Sequence, residues 1–246
     1  SKLSKRKNPT SILFYQRMGY LPEALVNYLG RMGWSMPDES EKFTLAQMQD
    51  AFDINRVSLG GPVFDVEKLS WLNGQWLREQ SDEQFLDTLL DWAYNRDYAM
   101  KIIPHLRQRV ETLSDVADKA AFCFNGMPAI SEASFEHKQY GAEDMKVWLQ
   151  YLLWAYEARS DWNRDGLFAD AKAIADALEV KIKDFLFPAF VAIAGTSASF
   201  SVVDSMEIIG ADLSRARLRN AIEVLGGVSK KQMKKLEKAY RDLPVG

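Results

Sequence analysis

Residues 145–156, with the sequence MKVWLQYLLWAY, decide the fold class of this chain. Apolar side chains recur here at Met145, Leu149, Leu152 and Tyr156, with the spacing of three and four residues that places them on one face of an α-helix. A stripe of this kind is typical of a helix that packs inside a helical domain. The stretch therefore predicts a buried amphipathic helix.

Helix start signals recur elsewhere in the chain. In a capping box, a hydroxyl residue and a glutamine three positions later each satisfy a backbone N–H group of the first helical turn. Three pairs fit this pattern: Thr44 with Gln47, Ser81 with Gln84, and Ser229 with Gln232. Strand-like patterning is confined to short pieces such as residues 11–15. We therefore expect a mainly α fold without a complete Rossmann domain.

Loop-like stretches divide this helical chain into segments. They lie at residues 34–43, 58–64 and 125–131, where glycine, proline, serine and acidic residues concentrate. We expect three segments, which comprise residues 1–80, 81–130 and 131–246. Four tryptophans that fall at helical spacing among leucines are expected to be buried: Trp71, Trp76, Trp148 and Trp154.

The composition excludes several classes of protein. Among 246 residues there are one cysteine and two histidines, Cys123, His105 and His137, too few for an internal disulfide or a closed zinc site. The longest apolar run, residues 185–194, is too short to span a bilayer. The sequence has no P-loop, no G-x-G-x-x-G and no H-E-x-x-H motif. We expect a cytoplasmic protein that carries neither a bound metal nor an autonomous active site.

Charge is distributed unevenly along the sequence. Residues 1–7 contain four basic residues and no acid, and residues 215–241 contain nine basic residues and two acids. Because the whole chain has a formal net charge of −3, residues 8–214 carry −14. Basic clusters can attract phosphates locally, since salt screens the field of the acidic body beyond about 8 Å. Charge runs are also typical of solvated helix faces, and charge alone does not distinguish the two interpretations.

The opening segment contains the residues best suited to chemistry. Residues 1–11 have the sequence SKLSKRKNPTS, in which Lys2, Ser4 and Lys5 lie close together. Lysine ammonium groups can neutralise the charge that develops on a triphosphate when its α-phosphorus is attacked. Any basic N-terminal tail has a similar composition, so the pattern by itself is weak.

Residues 2–6 (KLSKR) resemble the K-M-S-K-S signature of class I aminoacyl-tRNA synthetases. The stretches GYLPEALVNYLGRMGWSMPD at residues 19–38 and VSLGGPVFDVEKLSWLNGQWLRE at residues 57–79 are similar to bacterial glutamyl-tRNA synthetases. The likeness continues more weakly through ADLSRARLRNAIEVLGG at residues 211–227. The chain thus resembles the C-terminal half of that family, from the lysine loop onward.

The resemblance implies a fold and a function. A helical domain that contacts the tRNA stem would be followed by a two-part helical anticodon-binding domain. The full-length enzyme would use ATP with Mg²⁺ to attach glutamate to tRNA(Glu), with Lys5 contacting ATP phosphates and Lys2 and Ser4 supporting the loop. ATP and glutamate would reach the protein through an N-terminal catalytic domain. The chain alone is expected to bind tRNA, without catalysis and without a DNA or membrane partner.

Arg109 is the expected reader of the anticodon. The family implies this role for an arginine in a stretch like R-[VF]-x-T-L, which residues 109–113 (RVETL) match. Glutamate and glutamine tRNAs differ at the third anticodon base, C against G. A guanidinium can donate to the O2 and N3 acceptors of cytosine, whereas guanine presents donors there. Arg107 is the alternative in a shifted register.

A second contact region is expected at residues 195–201 (GTSASFS). Gly195 would allow close backbone approach, Thr196 could hydrogen-bond a base, and Phe200 could stack on one. Many relatives carry an arginine where this chain has Phe190, which weakens the correspondence. The basic residues of the C-terminal part, namely Arg215, Arg217, Arg219 and the lysines within 230–238, could contact the tRNA backbone or form a solvated helix face.

One alternative belongs to a different functional class. The chain could be a stand-alone helical interaction module without a nucleic-acid role, whose basic ends dock an acidic protein. The salt dependence of tRNA binding distinguishes the two hypotheses, because phosphate neutralisation makes affinity fall steeply with salt.

Overall fold

The computed structural model describes residues 10–196 and 200–243, which form α-helices, two short 3-10 helices and connecting loops, with no β-strand among them. The prediction of a mainly α fold is confirmed. The expectation of strand-like structure at residues 11–15 is wrong, because Ser11 caps a helix there by accepting a hydrogen bond from the Leu13 amide. No helix within these described ranges is both long and apolar enough to cross a membrane.

Residue contacts divide the chain into two compact units, Ser1–Arg96 and Asp97–Gly246. The predicted segment boundaries at residues 80 and 130 stay predictions. The helices of the first unit are α1 (Ile12–Arg17), α2 (Pro22–Arg31), α3 (Leu45–Ala51), α4 (Val66–Arg78) and α5 (Asp82–Trp92), with a 3-10 helix at Ile54–Arg56.

Local sequence sets where several of these helices begin. Thr44 and Gln47 form the predicted capping box of α3, with the Gln47 amide donating to the Thr44 hydroxyl over 3.1 Å and the Thr44 amide to the Gln47 side chain over 2.8 Å. Ser81 and Gln84 do the same at α5. The predicted helix starts are therefore confirmed at these positions.

The core of the first unit lies between α2 and α4. Leu69 and Leu72 of α4 are fully buried, and Asn27 of α2 is buried with its side-chain oxygen accepting from the Trp76 indole over 3.2 Å. Trp71 was expected to be buried but is 46% exposed. The reason is geometric: a residue two positions after Leu69 lies on the opposite side of the helix.

The second unit is built from a longer series of helices. They are α6 (Arg96–Leu106), α7 (Asp115–Phe124), a 3-10 helix (Glu132–Phe135), α8 (Ala142–Ala158), α9 (Arg164–Ala177), α10 (Ile182–Ala194), α11 (Val202–Ile209), α12 (Ala211–Val224) and α13 (Lys230–Arg241).

Helix α8 contains residues 145–156 and forms the core of this unit with α12, α10 and α9. Met145, Leu149, Leu152 and Tyr156 are each at most 1% exposed, so the predicted stripe is confirmed as core. The Tyr156 hydroxyl donates to the Leu167 carbonyl over 2.9 Å, which satisfies its only polar atom in the interior.

Arg217 of α12 lies fully buried among the helix ends of this unit. Its guanidinium donates from Nε to the Gly126 carbonyl (2.9 Å), from Nη1 to Ile193 (2.5 Å), and from Nη2 to Phe122 (2.9 Å) and Asn125 (2.5 Å). Ile193 lies in the last turn of α10 and Phe122 in the last turn of α7, and Asn125 and Gly126 directly follow α7. The last four carbonyls of a helix have no partner within it, so one buried cation satisfies the ends of two helices.

Replacing Arg217 by methionine should lower the free energy of unfolding by about 2–6 kcal/mol, because the two buried carbonyls of Phe122 and Ile193 would each lose a donor at a cost of about 1–3 kcal/mol. The matched control is Arg219→Met, which removes a partly exposed ion pair with Glu157 and should cost about 1 kcal/mol or less. Urea denaturation monitored by circular dichroism measures both values. Equal losses for the two variants would contradict the central role of Arg217.

Candidate nucleic-acid interface

Arg109 lies in the connection between α6 and α7, just beyond the end of α6. Its amide donates to the Leu106 carbonyl over 2.8 Å, and its Nη1 donates to the His105 carbonyl over 2.7 Å. Both Arg109 and Arg107 are exposed. Because the bond to His105 uses one of five guanidinium N–H groups, the side chain is oriented while its exposed head keeps further donors for a ligand.

Asp115 fixes the rest of this connection. Its carboxylate accepts from the amides of Glu111 (2.8 Å) and Thr112 (3.0 Å) and from the Thr112 hydroxyl (3.0 Å). These bonds, with the Thr112 amide first and the Glu111 amide second, lower the pKa of the Asp115 carboxyl below its ordinary value. The motif that contains Arg109 is therefore folded onto the start of α7.

A cluster of polar and aromatic side chains adjoins the base of Arg109. The His105 ring stacks on the Phe200 ring with centroids 5.5 Å apart, and its Nδ1 lies 3.8 Å from an Asp204 oxygen. The other oxygen of Asp204 lies 2.9 Å from Nε of Arg164. The cluster links α6, α9 and α11 and brings Phe200 next to the residue that supports Arg109.

Phe200 cannot stack on a base in this conformation. Its side chain is 1% exposed, because the rings of His105 and Phe122 cover it, the latter with its centroid 5.0 Å away. The aromatic character of the residue led to the expectation of a base contact, and packing against two other rings explains the burial. The predicted stacking of Phe200 is therefore not supported.

Gly195 ends α10 in the left-handed conformation, with φ of 72°. A Cβ atom at this position would lie 3.2 Å from the Cβ of Pro128, so the close approach that glycine allows here is to the loop after α7. Thr196 is exposed. Residues 197–199 lie outside the described residues, as do Lys2, Ser4 and Lys5 of the lysine loop.

The three arginines of α12 all bond to other groups of the second unit, although only Arg217 is fully buried. Besides buried Arg217, Arg215 donates from Nε to the Tyr156 carbonyl over 3.0 Å and from Nη2 to the Arg159 carbonyl over 3.2 Å. Arg219 pairs with Glu157. Burial makes Arg217 inaccessible as a phosphate ligand, and the predicted tRNA contacts of Arg215 and Arg219 compete with bonds that hold the end of α8.

Sequence reasoning did not find the His105, Asp204 and Arg164 cluster. One signal was available, since His105 precedes Arg109 by four residues, the spacing of neighbours on a helix face. The pairing of Asp204 with Arg164 joins residues 40 positions apart and has no local signature. Among the described residues, no group of three or more His, Cys, Asp or Glu side chains is arranged to hold a metal ion.

The chain matches two known protein families. Residues 84–222 match the family described as anticodon binding domain, and residues 1–71 match the catalytic domain of the class I tRNA synthetases (E and Q). The first match includes Arg109, Gly195, Phe200 and the arginines of α12.

Individual relatives are also similar. A glutamate–tRNA ligase of Alcanivorax borkumensis is 92% identical over 246 residues, which are 100% of this chain and 50% of that protein. The ligase of Marinobacter nauticus is 57% identical with the same coverage. A solved structure of a glutamate tRNA ligase from Elizabethkingia meningosepticum aligns with a TM-score of 0.47 at 26% identity and covers 92% of this chain and 49% of that one. The chain spans about half the length of the curated relatives it matches.

The Asp115 contacts predict a pH dependence. Because the pKa of this carboxyl is lowered in the folded chain, its bonds to Glu111 and Thr112 stabilise the connection above the unfolded pKa and are lost as the pH falls through the lowered value. In an NMR titration, the Asp115 carboxyl carbon should titrate below the ordinary aspartate range, and the amide shifts of Glu111 and Thr112 should follow it. Asp115→Asn should abolish this transition. Amide shifts that move independently of Asp115 would disprove the coupling.

Proposed function

The chain belongs to the anticodon-binding-domain family, which it matches over residues 84–222, and we propose that it is the tRNA-binding part of a glutamate–tRNA ligase. The observation that carries this proposal is the family match over most of the second unit, together with the exposed, pre-oriented Arg109 inside it. The partner is tRNA(Glu), bound through the anticodon by the second unit.

The proposal includes the activity of the whole ligase. That protein would activate glutamate with ATP and Mg²⁺ and transfer it to the 3′ end of tRNA(Glu) in the cytoplasm. Lys5 would contact the ATP phosphates, with Lys2 and Ser4 shaping the loop; this assignment rests on the resemblance of residues 2–6 and on the class I match over residues 1–71. ATP and glutamate sites belong to the remainder of the ligase.

Arg109 is the proposed discriminator between glutamate and glutamine tRNAs. Its exposed head offers donors that fit the acceptors of cytosine, and the bond from its Nη1 to His105 limits the orientations that it samples. Gly195 and Thr196 are proposed to contribute backbone and hydroxyl contacts close to the same anticodon. Arg215 and Arg219 remain proposed backbone contacts that would require them to rearrange.

Binding of tRNA by the purified chain tests the proposal. We expect tRNA(Glu) to bind at about 50 mM salt. As salt is added, the logarithm of the association constant should fall linearly with the logarithm of salt concentration, with a slope set by the number of neutralised phosphates. Fluorescence anisotropy with labelled tRNA measures this. Absence of binding at that salt concentration would favour the protein-interaction module instead.

The chain alone should catalyse no ATP–pyrophosphate exchange with glutamate, because the amino-acid and adenosine pockets are proposed to lie in the rest of the ligase. A radiolabelled pyrophosphate assay measures this directly. Exchange above the level of a Lys5→Ala variant would show that the chain holds a complete activation site and would refute this part of the proposal.

Arg109→Gln should reduce the preference for tRNA(Glu) over tRNA(Gln), since a good base contact is worth about 1–3 kcal/mol by analogy with direct readout in DNA. Arg107→Gln is the matched control, because Arg107 is exposed in the same connection and the substitution removes the same charge. Competition between the two tRNAs gives the preference for each variant. A loss confined to Arg107→Gln would assign the contact to Arg107.

A further inference from the structure

Helix α13 has two faces of opposite character. Met233, Leu236 and Tyr240 recur at helical spacing and are partly buried. The Tyr240 ring lies 5.3 Å from that of Tyr151 and 5.4 Å from that of Trp154, both on α8. Tyr240, on the apolar face of α13, therefore packs against α8, the core helix of the second unit.

The outward face of α13 is a dense cationic surface. It consists of six exposed side chains: Lys230, Lys231, Lys234, Lys235, Lys238 and Arg241. Three lysine pairs are spaced four residues apart, which places like charges next to each other on the helix and destabilises it. Within the part of the chain that the structure describes, none of the six forms an ion pair.

Two of these charges are also unfavourably placed with respect to the helix dipole. The first turn of α13 contains no acidic residue, and Lys230 and Lys231 lie at its N-terminal end, where the helix dipole is positive. Lys238 and Arg241 lie in the last turn, where the dipole favours a cation, and Glu237 is the one acidic residue of α13, so the unfavourable placement is that of Lys230 and Lys231. An external polyanion would relieve the repulsion and bind the face strongly.

We infer that the outward face of α13 binds the phosphate backbone of the tRNA without reading its sequence; this rests on the proposed function. The four central lysines, at 231, 234, 235 and 238, lie within one side of the helix over about 10 Å of its length. Lysine ammonium groups are compact point charges that suit phosphates. A membrane surface fits less well, because the apolar face that would enter it is partly buried and its Tyr240 ring already packs on Tyr151 and Trp154.

The basic residues of the C-terminal part fall into two groups with different surroundings. The arginines of α12 bond to carbonyls and to Glu157 inside the unit, whereas the lysines of α13 face outward. The anticodon-binding family match ends at residue 222, so α13 lies beyond it. The new surface is therefore distinct from the region around Arg109.

The test compares two triple variants of the whole chain, K231Q/K235Q/K238Q and the control K138Q/K181Q/K183Q. Both remove three exposed lysines, and glutamine retains good helix propensity. The α13 variant should bind tRNA(Glu) at least about tenfold more weakly at about 50 mM salt, and its log–log salt slope should shrink by about 3. The loss should be equal for tRNA(Gln). The control should retain the wild-type slope.

A third variant, K231R/K235R/K238R, keeps the charge and should retain wild-type affinity. Circular dichroism should show that the glutamine variant melts no lower than the wild type, since lysine repulsion is removed. If the wild type binds tRNA and K231Q/K235Q/K238Q leaves the salt slope of binding unchanged, the inference about α13 is overturned and the proposed function is not. Failure of the wild type to bind tRNA would instead overturn the proposed function. Competition by polyglutamate equal to that by RNA of the same charge would assign the face to an acidic protein and also overturn the inference.

Discussion

The second unit depends on one buried guanidinium. Arg217 donates to carbonyls at the ends of α7 and α10 and just beyond α7, and a helix cannot satisfy its own last carbonyls. The loops that follow these two helices contain Pro128 and Gly195, which approach each other closely. Arg217 thus supports, from inside the unit, the end of α10 at which Gly195 lies.

Much of the fold follows from local sequence. The capping boxes at Thr44 and Ser81 and the apolar stripe of α8 involve residues within a few positions of each other, so their pattern is visible without the structure. The orientation of the α12 arginines, in contrast, cannot be predicted from local sequence. Arg217 bonds to Phe122, 95 residues earlier in the chain, and nothing in the local charge pattern distinguishes it from a solvated arginine.

The same distinction applies to the candidate interface. The exposed Arg109 and its motif could be located from sequence because the motif and its support, His105 and Asp115, are local. Phe200 could not be assigned correctly, since its neighbours His105 and Phe122 come from distant helices and cover its ring. Phe200, whose ring is chemically suited to stack on a base, instead packs against His105, the residue that supports the exposed Arg109.

The two kinds of basic residue in the C-terminal part differ in what their chemistry permits. A guanidinium has a planar set of donors that can satisfy several carbonyls at once, which is why Arg215 and Arg217 of α12 can bond to carbonyls at the ends of other helices. An ammonium group is strongly hydrated and is costly to bury, so the lysines of α13 remain at the surface. If nucleic-acid affinity comes from exposed charge and specificity from one oriented guanidinium, the two properties reside on different elements. Each property can then change without disturbing the other, because Arg109 and the lysines of α13 are all exposed and lie outside the packed core of α8 and α12.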